Sequence, residues 1–211
     1  MKRRNGIAAA AVLAAVWGLT AGISGCETAA GEPAMYIEPA ELSQEEESMA
    51  KLVGAEEEKR IYDFSATPAL QSIYLKTYRL EQGKWVPESD GGQAYGETEG
   101  RLALNFDSLA KGMGASLQGK EEFGSSSYEK DLEEEFAEVS RVTTVLEERR
   151  PFSYEEEIPL VIQVMSSGDL NSGDRVESWP VEAFSRPEEY RSPEGGTVYA
   201  VTVQFSRDPL D

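Results

Sequence analysis

Chemistry in this chain has to come from carboxylates, lysines, tyrosines and serines, because its 211 residues include no histidine and a single cysteine. Without imidazole there is no Ser-His-Asp triad, no common zinc site and no acid–base group poised near neutral pH. The densest reactive groups are four Glu triplets, at 45–47, 56–58, 133–135 and 155–157. Glycoside hydrolysis needs two carboxyls facing each other across a cleft. Adjacent residues on one segment do not make that geometry, so solvated faces and strand ends are the favoured reading. A carboxylate-dependent hydrolase acting on cell-envelope or extracellular glycans is the alternative.

Three further groups invite a ligand. Asp169-Leu170-Asn171-Ser172-Gly173-Asp174 places oxygen donors close together. For an EF-hand loop, however, Gly173 stands one place early, and Pro180 holds the twelfth position, where a bidentate Glu belongs. An Asx-rich turn is expected there, with no metal. Gly91-Gly92 is followed by Gln93 and Ala94, lacking the Lys-Ser/Thr of a phosphate loop, so no nucleotide cofactor is expected. Trp85 and Trp179 are the only tryptophans beyond the leader. Each could stack on a sugar ring or mark a protein contact, although core packing is the commoner use. Trp85, beside a turn, is the better candidate for exposure.

The elements that must position these groups are mostly strands. Residues 27–39 mix Glu, Ala, Gly and Pro without a period and read as a flexible tether. A short helix follows before Gly54, with Leu42, Met49, Leu52 and Val53 near one face. Residues 71–80 and 85–86, either side of a turn holding Gly83, read as a hairpin. The stretches 89–100 and 119–127 read as polar loops. Residues 101–106 alternate, with Leu102, Leu104 and Phe106 on one side, and Met113, Ala115 and Leu117 alternate in the same way after a turn. Residues 128–138 are ambiguous: Glu133–135 favour helix, and the β-branched run after Val139 favours a strand near 139–147. Residues 158–165 form the most apolar run after the leader and read as a buried strand with Pro159 at its start. A long polar connection then leads to a last strand, in which Tyr199, Val201, Val203 and Phe205 share a face.

Seven or eight short strands with almost no helix predict an all-β antiparallel sandwich over 60–211, preceded by the tether and short helix of 26–59. The predicted core is Leu75, Leu102, Leu104, Phe106, Leu117, Leu160, Ile162, Val164, Val201, Val203 and Phe205.

The leader sets the address. Lys2, Arg3 and Arg4 precede an uncharged run from 7 to 19, which ends in small residues and then Ile23-Ser24-Gly25-Cys26. The run is a signal-peptide core, too short to span a membrane comfortably. Those last four residues resemble the lipobox of bacterial lipoproteins. An ordinary signal peptide with an incidental Cys and an uncleaved membrane helix are the alternatives, and the order of charge, core, small residues and Cys favours the lipobox. The resemblance implies that Ile23, Ser24 and Gly25 are recognised by a peptidase. It also implies that Cys26 takes a diacylglyceryl group and becomes the N-terminus, held in membrane lipid on the extracytoplasmic face. Each buried methylene contributes ~0.8 kcal/mol, so two chains anchor firmly where one binds reversibly.

Removing residues 1–25 leaves 17 basic against 39 acidic residues, a net charge of −22. Nucleic acid is an unexpected partner for such a surface. The later chain resembles small uncharacterised lipoproteins of gut Firmicutes, through Gly83-Lys84-Trp85, the Gly100-Arg101-Leu102-Ala103-Leu104 stretch continuing to Asp107, and Ile158-Pro159-Leu160-Val161. That resemblance implies an address and a shape, and no activity. The functional expectation is therefore a membrane-anchored, non-enzymatic module that binds a ligand, a glycan or a protein.

Overall fold

The structure is a computed structural model that describes residues 35–52, 58–130, 140–166, 176–190 and 196–210. Eleven strands form two antiparallel sheets among these residues. Sheet A contains β1 (Tyr36–Pro39), β2 (Glu58–Ser65), β5 (Glu99–Phe106), β6 (Gly112–Gln118), β7 (Phe123–Glu129) and β9 (Arg150–Pro151), in the order β7-β6-β5-β2-β1-β9. Sheet B contains β3 (Ser72–Glu81), β4 (Lys84–Ala94), β8 (Ser140–Val145), β10 (Glu157–Ser166) and β11 (Gly196–Ser206), in the order β4-β3-β11-β10-β8. The expected all-β sandwich is what forms.

The strand count exceeds expectation for identifiable reasons. Residues 36–39 are a strand rather than tether, because Ile37 is fully buried between β2 and β9. β4 runs on through Gly91 and Gly92 to Ala94, and β7 occupies the supposed polar loop 119–127. Both are edge strands, where few apolar side chains are needed. The strand near 139–147 is β8. Of the ambiguous stretch 128–138, residues 128 and 129 end β7; residues 131–138 lie outside the described residues, as do Asp169 to Asp174 and the leader with Ile23, Ser24, Gly25 and Cys26.

The two sheets meet through the alternation read in the sequence. Leu102, Leu104 and Phe106 face Val201, Val203 and Phe205, all at most 3% exposed. Phe205 stacks on Phe152 with centroids 4.3 Å apart and meets Phe64 at 5.0 Å. Polar bolts fix the register: the Tyr62 hydroxyl donates to the Leu160 carbonyl at 3.2 Å, and Gln163 Oε1 accepts from the Leu109 N–H at 2.8 Å. The β3–β4 hairpin closes through Gln82 and Gly83, at φ 51° and 76°. Two successive positive φ values give a primed turn that matches the strand twist.

The short helix α1 (Gln44–Leu52) starts on a capping box, in which Ser43 Oγ accepts from the Glu46 N–H and Glu46 Oε2 accepts from the Ser43 N–H. Of its apolar stripe, Met49 is 61% exposed. Glu46 pairs with Arg101, which also grips Asp63 on β2.

Candidate ligand-binding groove

The outward face of sheet B is divided along the length of its strands. On β11 the outward positions run Val198, Ala200, Thr202, Gln204; opposite them on β3 stand Leu80, Tyr78, Lys76 and Tyr74. The Val198 end is covered. Residues 176–190, with two short 3-10 turns at Val181–Ser185 and Pro187–Glu189, form a strap that packs against β10 and β4. Trp179, Val181 and Ala183 bury themselves on Ile162 and Val164. A sheet apolar on both faces explains why 158–165 reads as a continuous hydrophobic run rather than an alternation.

This strap also decides the fate of both tryptophans. Trp179 is 1% exposed, with Tyr190 at 5.1 Å. Trp85 is half-buried, stacked on Phe184 at 5.3 Å, and its Nε1–H donates to the Phe184 carbonyl at 2.8 Å. Trp179 is therefore packed, the commoner use of the ring, and Trp85 has one face taken by Phe184. The strap is what sequence reasoning missed: a long polar connection with no period gives no sign that an irregular segment will supply a second hydrophobic layer.

The Gln204 end of the same face is open and polar. It forms a groove of about 470 Å³ lined by Tyr74, Lys76, Asp90, Glu155, Gln204, Ser206, Asp208 and Pro209. Tyr74 lies flat against β4 because Gly92 has no Cβ; one added there would sit 2.7 Å from the ring and 2.5 Å from Leu210. Glu155 adopts φ 66°, a left-handed conformation that costs a non-glycine residue about 1–2 kcal/mol. Several bonds hold it: its carboxylate accepts from Ser206 Oγ and the Arg207 N–H, both at 3.0 Å, and from Gln204 Nε2 at 3.3 Å. Backbone strain of this kind recurs at functional sites.

Glu157 joins the two ends of the face. Its carboxylate accepts from the Tyr78 hydroxyl at 2.8 and 2.9 Å and from Lys76 Nζ at 2.9 Å. Burial and the Glu157 hydrogen bond both push the Tyr78 phenol upward. For Lys76, burial pulls the amine down, but the hydrogen bond and charge of Glu157, with Asp90 and Tyr74 beyond, outweigh it and raise the amine overall. Both groups therefore keep their protons at neutral pH, as donors rather than bases. Tyr78 also packs on Phe184 at 5.2 Å, so the groove and the strap share one residue.

The Glu triplet 155–157 is thus split three ways. Glu155 lines the groove, Glu156 turns to Arg150 and the Ser153 N–H, and Glu157 sits between Lys76 and Tyr78. Among the described residues no group of three or more acidic side chains is placed to hold a metal ion. No family model, no curated protein and no solved structure matches this chain.

Proposed function

We propose that this protein is an extracytoplasmic lipoprotein, held in the membrane by a diacylglyceryl group on Cys26, whose β-sandwich binds a glycan without catalysing a reaction on it. The observation that carries the binding half is the open end of sheet B: Tyr74 offers a ring edge, and Lys76, Asp90, Gln204 and Glu155 bring donors and acceptors to one 470 Å³ groove. Sugars are recognised by this mixture of hydroxyl-directed polar groups with an aromatic surface. The non-enzymatic half is supported by Glu155 and Glu157, whose carboxylates are both engaged by protein donors. A glycosidase acid needs a raised pKa and a free face toward the leaving oxygen.

Screening the full chain in vesicles against envelope and extracellular polysaccharides tests the groove. Tyr74→Ala and Lys76→Met should each weaken the interaction about tenfold, and hydrolysis of a captured glycan would overturn the non-enzymatic reading. Labelling with radioactive palmitate should mark the wild type and not Cys26→Ala; equal labelling of both would remove the anchor.

A further inference from the structure

The open groove of sheet B carries more acid than base. Three carboxylates line it, on Asp90, Glu155 and Asp208, against one cation, Lys76. Lys76 is already matched, since its Nζ stands 2.9 Å from Glu157, a carboxylate that does not line the groove. Arg207, beside Ser206 and Asp208 in the chain, places its guanidinium over the Tyr154 ring, 5.6 Å from the centroid.

The three lining carboxylates have no cation of their own. Glu155 accepts only from neutral donors: Ser206 Oγ, the Arg207 N–H and Gln204 Nε2. Asp208 is held through its backbone, its carbonyl accepting from Ser72 Oγ at 2.6 Å and its N–H donating to Ser206 Oγ at 3.0 Å. Asp90 is exposed and acts on Lys76 through its charge, without a hydrogen bond among the described residues.

Their layout favours a chain over a small cation. The Glu155 N–H donates to the Phe205 carbonyl at 2.9 Å, which sets Glu155 beside β11, on the flank opposite β4. From Asp90 on β4, across β3 and β11, to Glu155 is three strand spacings, about 14 Å at ~4.8 Å each. Tyr74 and Gln204 lie between these flanks, and Asp208 follows the end of β11. A lone cation meets one of these carboxylates, whereas a polymer with an amine on successive sugars meets several and still packs a ring against Tyr74. Residues 26–211 carry a net charge of −22, a field that draws cationic polymers and repels anionic ones.

Resting on the groove as the glycan site, we propose that the glycan it takes is a cationic one, a hexosamine polymer with free amines. Its ammonium groups donate to Asp90, Asp208 and Glu155, one sugar packs against Tyr74, and Lys76, its charge met by Glu157, keeps N–H donors for sugar hydroxyls.

Calorimetric titration of the full chain in phosphatidylcholine vesicles, whose lipid has no net charge, tests this with β-1,4-linked glucosamine oligomers and their fully N-acetylated counterparts. The glucosamine oligomers should bind about tenfold tighter, and added salt should narrow the gap. A charge contact at an exposed residue is worth about threefold, so Asp90→Asn and Asp208→Asn should each cost the glucosamine oligomers about threefold more than the acetylated ones. Glu121→Gln, on the turn before β7 and outside the groove, should leave that ratio unchanged. Acetylated oligomers that bind as tightly as the free amines, with both Asp variants indifferent, overturn the proposal and leave the glycan reading standing. Oligolysine binding as tightly as the glucosamine oligomers, or an equal loss in Glu121→Gln, overturns it in favour of a general attraction of cations to an acidic surface. Binding of neither oligomer overturns it as well, and a blank polysaccharide screen beside that result removes the glycan reading too.

Discussion

The two ends of the outward face of sheet B are built on the same strands, yet one became a second core and the other a groove. At the Val198–Ala200 end, aliphatic outward residues are sealed by Trp179, Val181 and Ala183. At the Gln204 end, Lys76, Tyr74 and Glu157 stand outward, and among the described residues none of the strap lines the groove there. The difference teaches that a sheet face is not uniformly structural or functional. Four residues along β11 are enough to pass from solvent exclusion, where rings gain by burial, to solvated polar groups free to exchange water for a ligand.

Substitutions should separate the ends by size of effect. Trp179→Ala removes the largest buried ring of the strap and should cost about 3–5 kcal/mol in denaturant unfolding. A loss below 1 kcal/mol would mean that the strap is not a true second layer. Tyr78→Phe removes the phenol that joins the ends while keeping the ring on Phe184; about 1.5–3 kcal/mol is expected, the range for a hydrogen bond to a charged group. Trp85 fluorescence should stay unchanged in that variant, because its own bond to Phe184 persists.

The open end should also titrate where the covered end cannot. Lys76 has its pKa raised in the fold, so its contribution is fully present below the ordinary lysine pKa, near 10.4, and is lost as pH climbs through the higher folded value. Nitrogen-detected NMR of the Lys76 amine should show titration above the ordinary lysine value, and Glu157→Gln should lower it. An unmoved Lys76 in Glu157→Gln would mean that the pair is not formed in solution. The smallest effect belongs to Gln204→Ala, expected within about 0.5 kcal/mol of wild type by thermal unfolding. A larger loss would make the groove part of the fold's support rather than a surface free to bind.

Much of the sandwich was legible because side-chain alternation is dictated by burial. Leu102, Leu104 and Phe106 announced β5, and Gly83 between β-formers announced the hairpin. Ile162 and Val164 were correctly expected to be buried, but they lie under the strap rather than between the sheets. β7 was hidden because its inward residues, Gly124, Ser126 and Tyr128, carry no apolar alternation. The groove was not legible at all. Tyr74, Lys76, Asp90, Glu155 and Gln204 are spread over 131 positions and meet only through strand register, so no local spacing could reveal them. How the tryptophans pack was not legible, because a ring beside a turn is exposed only if nothing folds back over it, and residues 176–190 fold over Trp85.

The most direct test of a glycan site at the open end is hydrogen–deuterium exchange of the full chain in vesicles, with and without the polysaccharide it captures. Added protection should appear in residues 74–78, 88–92, 155–157 and 202–208, with 176–190 unchanged. Protection confined to 176–190, or none in these segments at saturating polysaccharide, would contradict the account.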